Sequence, residues 1–220
     1  MQDKLGGVWR GGIVTVIATL AAATAAAQMP GVPVLQNAWA SPGLVAAVNY
    51  GGGDGSVYAG AVSWASATAR FQLSAGIGAR SPSGGGGSKS VYGVRAAIPL
   101  GGATSPIGFG VFAGVGGGQA ATGDTVSSNT QIPVGAAIGW RHAIGASHGL
   151  SLYATPSYVY LTGGTKAGGV ARVGLGVDLG ITKSLGATVG ADFGGTRATG
   201  LGGPTGTLYG IGVSYALGRR

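Results

Sequence analysis

Asp178 and Asp192 are the two acidic residues whose spacing could support chemistry. Each falls on the polar side of an alternating segment, and the short connector 183–186 joins the two segments. Two carboxylates that face each other at the same distance from a turn can act as a general acid and a general base. The alternative is charge neutralisation, because a charge in a narrow interior requires a partner. The sequence favours neutralisation by arginine over catalysis.

The arginines that could neutralise these aspartates also fall on polar sides of alternating segments. In residues 69–80, for example, Arg70 and Arg80 alternate with apolar residues such as Phe71 and Leu73. We predict an interior charge network composed of Arg70, Arg95, Arg141, Arg172, Asp178 and Asp192.

The remaining chemical signals in the sequence are weak. His142 and His148 flank one predicted turn, but a metal or nucleophilic site needs further ligands or a base, and the chain has no cysteine and no glutamate. The segment 108–113, GFGVFA, has the residue pattern of a dinucleotide-binding fingerprint. It lacks the structural context of that motif, because it lies within an alternating strand and no helix follows it. We therefore predict no catalytic residue, no metal site and no cofactor.

The composition argues against an ordinary water-soluble domain. Only 8% of the 220 residues are charged, whereas about 25% is usual for soluble proteins. The 49 glycines disfavour helices. The net charge of +8 suits contact with anionic lipid head groups, and the absence of basic runs or zinc-ligand spacing argues against nucleic acid.

Three regions follow one another along the chain. Residues 1–27 have the pattern of a cleavable signal peptide, with two basic residues before an uncharged stretch and an A-x-A site at Ala25 to Ala27. An uncleaved anchor helix is the alternative. Residues 28–42 contain three prolines and form an extended lead-in, and residues 43–220 form the predicted domain.

Alternation of apolar and small polar residues repeats through residues 43–220, as expected for half-buried strands. The candidate strands are 43–50, 56–65, 69–80, 90–100, 106–116, 131–142, 149–161, 170–182, 187–194 and 206–217. Their polar sides carry mostly glycine, alanine and serine, which suits a crowded interior better than a wet surface. We expect lipid contact at Phe71, Leu73, Ile77, Leu175, Val177, Leu179, Ile211 and Val213, with Tyr50, Trp140 and Tyr209 at the membrane interface.

The connectors alternate between short and long, as in outer-membrane barrels with short periplasmic turns and longer outer loops. Connectors 117–130 and 162–169 are among the expected long loops, whereas the first hairpin, 51–55, is short. Pro156 falls in the middle of the seventh candidate strand and predicts a bulge or a boundary there.

The sequence resembles small outer-membrane β-barrel proteins of Gram-negative bacteria, the opacity-type and outer-membrane-protein-A-like barrels. The resemblance lies in the leader, the alternating strands, the alternation of short and long connectors, and the near-terminal segment GIGVSYALGRR. The resemblance implies an all-β antiparallel transmembrane barrel of about ten strands, with eight as the nearest alternative. It also implies the outer membrane as location, and membrane lipid, lipopolysaccharide and the outer-membrane assembly machinery as partners.

The function implied by this resemblance is a non-enzymatic structural barrel or a narrow passive pore with arginines in its lumen. An adhesin or interaction barrel that acts through its outer loops is the alternative, with small solutes or further copies of the chain as possible partners. A secreted soluble β protein is a third interpretation.

Overall fold

The computed structural model describes residues 42–53, 55–66, 68, 70–81, 87–100, 105–122, 125–145, 148–163, 166–194 and 207–217. The expected leader 1–27 and all but the last residue of the lead-in 28–42 lie outside the described residues.

The described residues form ten strands in a single closed barrel, in which each strand pairs antiparallel with the next and β1 pairs with β10. The all-β fold with ten strands is confirmed, and the eight-stranded alternative is wrong. Within the described residues, no helix is long and apolar enough to span a membrane. The strands are β1 (Gly43–Gly52), β2 (Ser56–Ala65), β3 (Gln72–Ser81), β4 (Lys89–Pro99), β5 (Ile107–Thr122), β6 (Thr125–Ile144), β7 (His148–Gly163), β8 (Lys166–Gly180), β9 (Leu185–Gly194) and β10 (Leu208–Leu217).

The two faces of the barrel wall have the opposite polarity to those of a soluble sheet, with apolar side chains outside and small or polar side chains inside. Strand β2 shows the pattern: Ala61 and Ser63 point inward and are buried, whereas Tyr58, Val62 and Trp64 point outward and are exposed. Because neighbouring side chains of a strand point to opposite faces, the small residues fill the narrow interior and the large apolar residues cover the outside.

The two ends of the barrel differ. At the end that we call the turn end, connectors such as 66–71 and 181–184 join the strands, and β1 begins and β10 ends there. At the opposite end, the loop end, β5, β6, β7 and β8 are 15 to 20 residues long, whereas the other strands have 10 or 11. Two antiparallel hairpins therefore extend beyond the rest of the wall.

These two hairpins correct the expected loops at 117–130 and 162–169. The β5–β6 ladder continues to the pair Thr122 and Thr125, and the β7–β8 ladder continues to the pair Gly163 and Lys166. We expected loops because these segments are rich in glycine, serine and threonine. That composition marks the place where the apolar outer face ends. Backbone pairing continues beyond it, because pairing does not require alternation of hydrophobicity.

Pro156 causes neither the bulge nor the boundary that the sequence predicted. Strand β7 runs through it, and the β6–β7 pairs on either side, Gly135 with Ser157 and Ile138 with Ala154, keep one register. Pro156 still pairs with Val173 of β8. A proline removes only one ladder donor, so it interrupts hydrogen bonding toward one neighbour and leaves the strand continuous.

Two glycines make room for aromatic rings inside the barrel. A Cβ atom at Gly135 would lie 2.6 Å from Cζ of Phe112, and a Cβ at Gly176 would overlap the ring of Tyr153. Phe112 and Tyr153 are both buried. Each ring therefore occupies the space that a side chain at the neighbouring glycine would need.

Candidate functional site: the barrel lumen

Polar side chains line much of the lumen, although almost no water reaches them. Thr155 is 0% exposed, Asp178 is 1% exposed and Arg95 is 3% exposed. The buried polar and charged residues are Ser63, Gln72, Ser74, Arg95, Gln131, Ser151, Thr155, Arg172, Asp178, Thr188, Asp192 and Ser214.

One aspartate forms an ion pair across neighbouring strands. Nε of Arg172 on β8 lies 3.0 Å from Oδ1 of Asp192 on β9, and Nη2 of Arg172 lies 3.3 Å from the backbone oxygen of Asp192. Both side chains are buried. A charge-assisted pair of this kind neutralises both groups where water is excluded.

The other aspartate lies at a different level of the lumen. Asp178 pairs in register with Thr188, whose hydroxyl donates a 2.5 Å hydrogen bond to Oδ1 of Asp178. Asp192 pairs in register with Gly174, four residues along β8 from Asp178. Four residues of strand span about 13 Å. The expectation that the two carboxylates lie at the same distance from their turn is therefore wrong, and the separation does not suit paired acid–base chemistry.

Arg95 has an aromatic neighbour instead of an acid. Its Cζ atom lies 3.5 Å from the centroid of the Phe112 ring, in a cation–π arrangement. Its Nε and Nη1 atoms are buried and have no hydrogen-bond partner among the described residues, and the same is true of the Tyr153 hydroxyl and of Oγ1 of Thr155. Arg95 and Tyr153 are within electrostatic range of each other. We call Arg95, Phe112 and Tyr153 the Arg95 site.

The two other arginines of the predicted network lie at the turn end. Arg141 is half-buried, and its Nε atom donates to the backbone oxygen of Ser105 at 3.2 Å. Arg70 is exposed in the turn before β3, where its backbone nitrogen donates to Oγ of Ser66. Arg70 is therefore not a lumen residue, because β3 begins at Gln72, three residues later than the alternation suggested.

The side chains expected to contact lipid all lie on the outer face. Val177 is half-buried and the other seven are exposed: Phe71, Leu73, Ile77, Leu175, Leu179, Ile211 and Val213.

Aromatic side chains on the outer face gather toward the two ends of the wall. Toward the loop end stand Tyr50, Tyr58, Tyr92, Tyr158, Tyr160 and Tyr209, and toward the turn end stand Trp64, Phe71, Phe109, Trp140 and Tyr215. The Tyr50 and Tyr58 rings contact each other, with centroids 4.8 Å apart.

The histidines lie outside the lumen. Both His142 and His148 are exposed at the turn end, and the His142 ring stacks on Trp140 with centroids 5.7 Å apart. No group of three or more metal-ligating side chains occurs within the described residues. Segment 108–113 lies inside β5.

Sequence reasoning missed the partners that organise the lumen. Phe112 and Tyr153 belong to the inward face by alternation, but the other large aromatic residues that the structure describes face outward, so the sequence did not identify these two as lumen residues. Thr188 and Thr155 carry no charge, so the sequence did not mark them as members of a charge network. Only the register between strands reveals which of these residues meet.

Comparison with known proteins supports the fold and nothing finer. No protein-family model matches the sequence, and no curated protein is similar to it. Among solved structures, the β domain of the Bordetella autotransporter Brka is similar with a TM-score of 0.52 and 13% sequence identity, over 80% of this chain and 99% of that one.

Two further solved structures are similar at lower scores. The N-terminal β-barrel domain of Pseudomonas aeruginosa OprF has a TM-score of 0.38 and 13% identity, over 78% of this chain and 95% of that one. The KdgM porin, in a complex with disordered oligogalacturonate, has a TM-score of 0.42 and 12% identity, over 79% of this chain and 99% of that one. The similarity to the Brka β domain supports the fold alone, which in this chain is a closed antiparallel barrel of ten strands.

Proposed function

We propose that this chain is an outer-membrane protein whose barrel wall lies in lipid. The observation that carries the proposal is the inverted distribution of its side chains. Thirty-six large apolar residues are exposed on the described surface, whereas Arg95, Arg172, Asp178 and Asp192 are buried. Soluble monomers rarely expose apolar patches larger than a few hundred Å², so water is an unsuitable solvent for this outer face.

The dimensions of the wall agree with a membrane. The six shorter strands have 10 or 11 residues, which is the length that a tilted strand needs to cross a bilayer. Tyrosines toward the loop end and tryptophans toward the turn end match the interfacial girdles of membrane barrels, where rings with one polar atom are favoured. The turn end then faces the periplasm and the loop end faces outward.

Within the membrane, we propose a structural role with a lumen that conducts little or not at all. Phe112, Tyr153 and Arg95 fill the middle of the barrel and are buried. Nearer the loop end, Ala47, Val57, Ala59, Ala61 and Val91 form a buried apolar cluster. A water path must pass both levels, so only a narrow pore is compatible with this interior. A non-enzymatic role agrees with the separated aspartates and the outward histidines.

The proposal is tested by producing the chain in a Gram-negative host and following where it goes. We expect it to stay with the outer-membrane fraction after an alkaline wash and to dissolve only in detergent. The folded barrel should also run faster on a detergent gel when unheated than when boiled. Recovery in the soluble fraction without detergent would overturn the proposal and favour a secreted β protein.

The two long hairpins favour one further role, an interaction barrel. The β5–β6 hairpin and the β7–β8 hairpin extend at the loop end, and their backbone pairing continues in register to the pairs Thr122–Thr125 and Gly163–Lys166. Paired ribbons present a fixed surface at less entropic cost than open loops. Replacing residues 119–128 by Asn-Gly would close the first ribbon on the pair Gly118 and Asn129. Loss of cell-surface binding with an intact barrel supports this role, and unchanged binding contradicts it.

A further inference from the structure

An apolar groove crosses the outer face of the wall from β5 to β9. Its volume is about 780 Å³, which lies within the range of small-ligand sites, about 300–1,000 Å³. Three glycines form much of its floor, Gly139, Gly176 and Gly190, and they lie on one line of register that passes through Tyr153 of β7. The Tyr153 side chain is buried on the inner face, so the floor of the groove is backbone.

Outward side chains of unequal size form the two sides of the groove. Trp140, Leu152 and Val189 stand on the side nearer the turn end, and all three are exposed. The opposite side is lower, because two of its residues, Ala154 and Ala191, are alanines. An occupant of this groove must therefore be apolar along its length.

The groove has the length and the inclination of one hydrocarbon chain. Four strand spacings of about 4.8 Å separate β5 from β9 and give a length of about 19 Å. The line of register through Trp140, near the turn end, reaches Tyr50, near the loop end. Since strands of a membrane barrel tilt by about 45°, the groove rises by about 13 Å from the turn end, close to one leaflet, which is half of a hydrocarbon core of about 30 Å.

Side chains that donate hydrogen bonds surround the turn-end mouth of the groove. His142 follows Trp140 on the outward face of β6, and the two rings stack with centroids 5.7 Å apart. His148 of β7 and Lys183 of the β8–β9 turn are exposed at the same end. Indole, imidazole and ammonium groups all donate hydrogen bonds. Both aspartates that the structure describes are buried in the lumen, so this mouth suits a negatively charged group.

We propose that the groove binds one chain of a glycerophospholipid with an anionic head group, whose phosphate lies at Trp140, His142 and His148. The groove supplies apolar contact along the chain, and the donors at the turn end fix the position of the phosphate. The site rests on the proposed function, because it lies on the wall that we assign to lipid. It deepens that function by naming the class of lipid that binds at one place on the wall.

The test measures stoichiometric lipid binding to the full chain folded in a non-ionic detergent. Native mass spectrometry counts the molecules of palmitoyl-oleoyl phosphatidylglycerol that stay bound as the lipid concentration rises. We expect one molecule to bind saturably. The diacylglycerol with the same two chains lacks the phosphate, and it should require a concentration about tenfold higher, because hydrogen bonds to a charged group are among the stronger ones.

One substitution fills the groove. Ala154→Phe should abolish the saturable binding, since the new ring occupies the space of the chain. Ala96→Phe is the matched control, because Ala96 is also a half-buried outward alanine but lies on β4, outside the groove. Should Ala154→Phe not fold, His142→Ala, a substitution at an exposed position, still decides the question.

His142→Ala tests the head-group end separately. It should raise the phosphatidylglycerol concentration of half saturation about fivefold, the loss expected for one hydrogen bond. Diacylglycerol binding should stay unchanged, whereas a purely structural role of the Trp140–His142 stack would weaken the binding of both lipids. Arg70→Gln removes an exposed basic residue elsewhere at the turn end and should change neither.

Three results would overturn the site: no saturable binding of phosphatidylglycerol to the wild type, equal binding to Ala154→Phe and Ala96→Phe, or equal half-saturation for the two lipids. A dimer that dissociates in Ala154→Phe would also overturn it and assign the groove to a second copy of the chain. All of these measurements are made in detergent, and the fractionation experiment tests membrane location separately. A failure of the site is therefore distinguishable from a failure of the proposed function.

Discussion

Arg172 and Asp192 form a buried ion pair between β8 and β9, with Nε and Oδ1 3.0 Å apart. The aspartate side chain is 11% exposed and the arginine side chain 3%. Removing one partner leaves the other as an uncompensated charge in a medium of low dielectric, which costs far more than a surface pair contributes.

Asp192→Asn is therefore expected to lower the free energy of unfolding by about 3 kcal/mol, as is typical for a broken buried pair. Urea unfolding in lipid vesicles, followed by tryptophan fluorescence, measures this. The double variant Arg172→Met with Asp192→Leu should recover much of the loss, because it removes both charges. A cost of Asp192→Asn below about 0.5 kcal/mol, which is usual for a surface substitution, would show that the pair is not buried in solution.

Gly176→Ala is expected to destabilise the barrel by about 1–3 kcal/mol, the usual range for overpacking. The new Cβ would overlap the buried Tyr153 ring, which cannot move aside freely. Gly60→Ala is the matched control, because a Cβ there has open space. The cost should shrink in a Tyr153→Ala background, and equal costs in both backgrounds would contradict the contact.

Phe112→Ala is expected to widen the lumen at the level of Arg95. Planar-bilayer recordings should change from no resolved steps in the wild type to resolved, anion-preferring steps in the variant, since the arginine then lines a wetter path. Phe109→Ala is the control, because Phe109 lies on the same strand and faces outward. Identical recordings for wild type and Phe112→Ala would show that another level closes the barrel.

Alternation identified the strands well because a membrane barrel needs a continuous apolar outer face. The second strand was predicted with its observed bounds, 56–65, and the outward positions Leu73 and Ile77 follow from period two alone. The hairpin tips were missed because backbone pairing beyond the membrane leaves no apolar pattern. Pro156 was misjudged because a lost donor on one side of a strand does not shift the register.

The lumen was less predictable than the wall. Which face a residue occupies follows from alternation, but which residues meet depends on the stagger between strands, and this placed Asp178 and Asp192 at different levels. Arg70 was assigned to the lumen because Phe71 and Leu73 continue the alternation, whereas the strand begins only at Gln72. The pairing of Arg95 with Phe112 crosses neighbouring strands diagonally and leaves no sequence signal.

The central claim is that the outer face of the wall contacts lipid, and spin-label accessibility tests it most directly. The chain has no cysteine, so one nitroxide label can be placed at Ile77→Cys on the outer face and another at Lys183→Cys in an exposed turn. In vesicles, the label at position 77 should collide with oxygen and be protected from a water-soluble nickel complex, whereas the label at position 183 should show the reverse. Equal nickel accessibility at the two positions would contradict a membrane-spanning barrel.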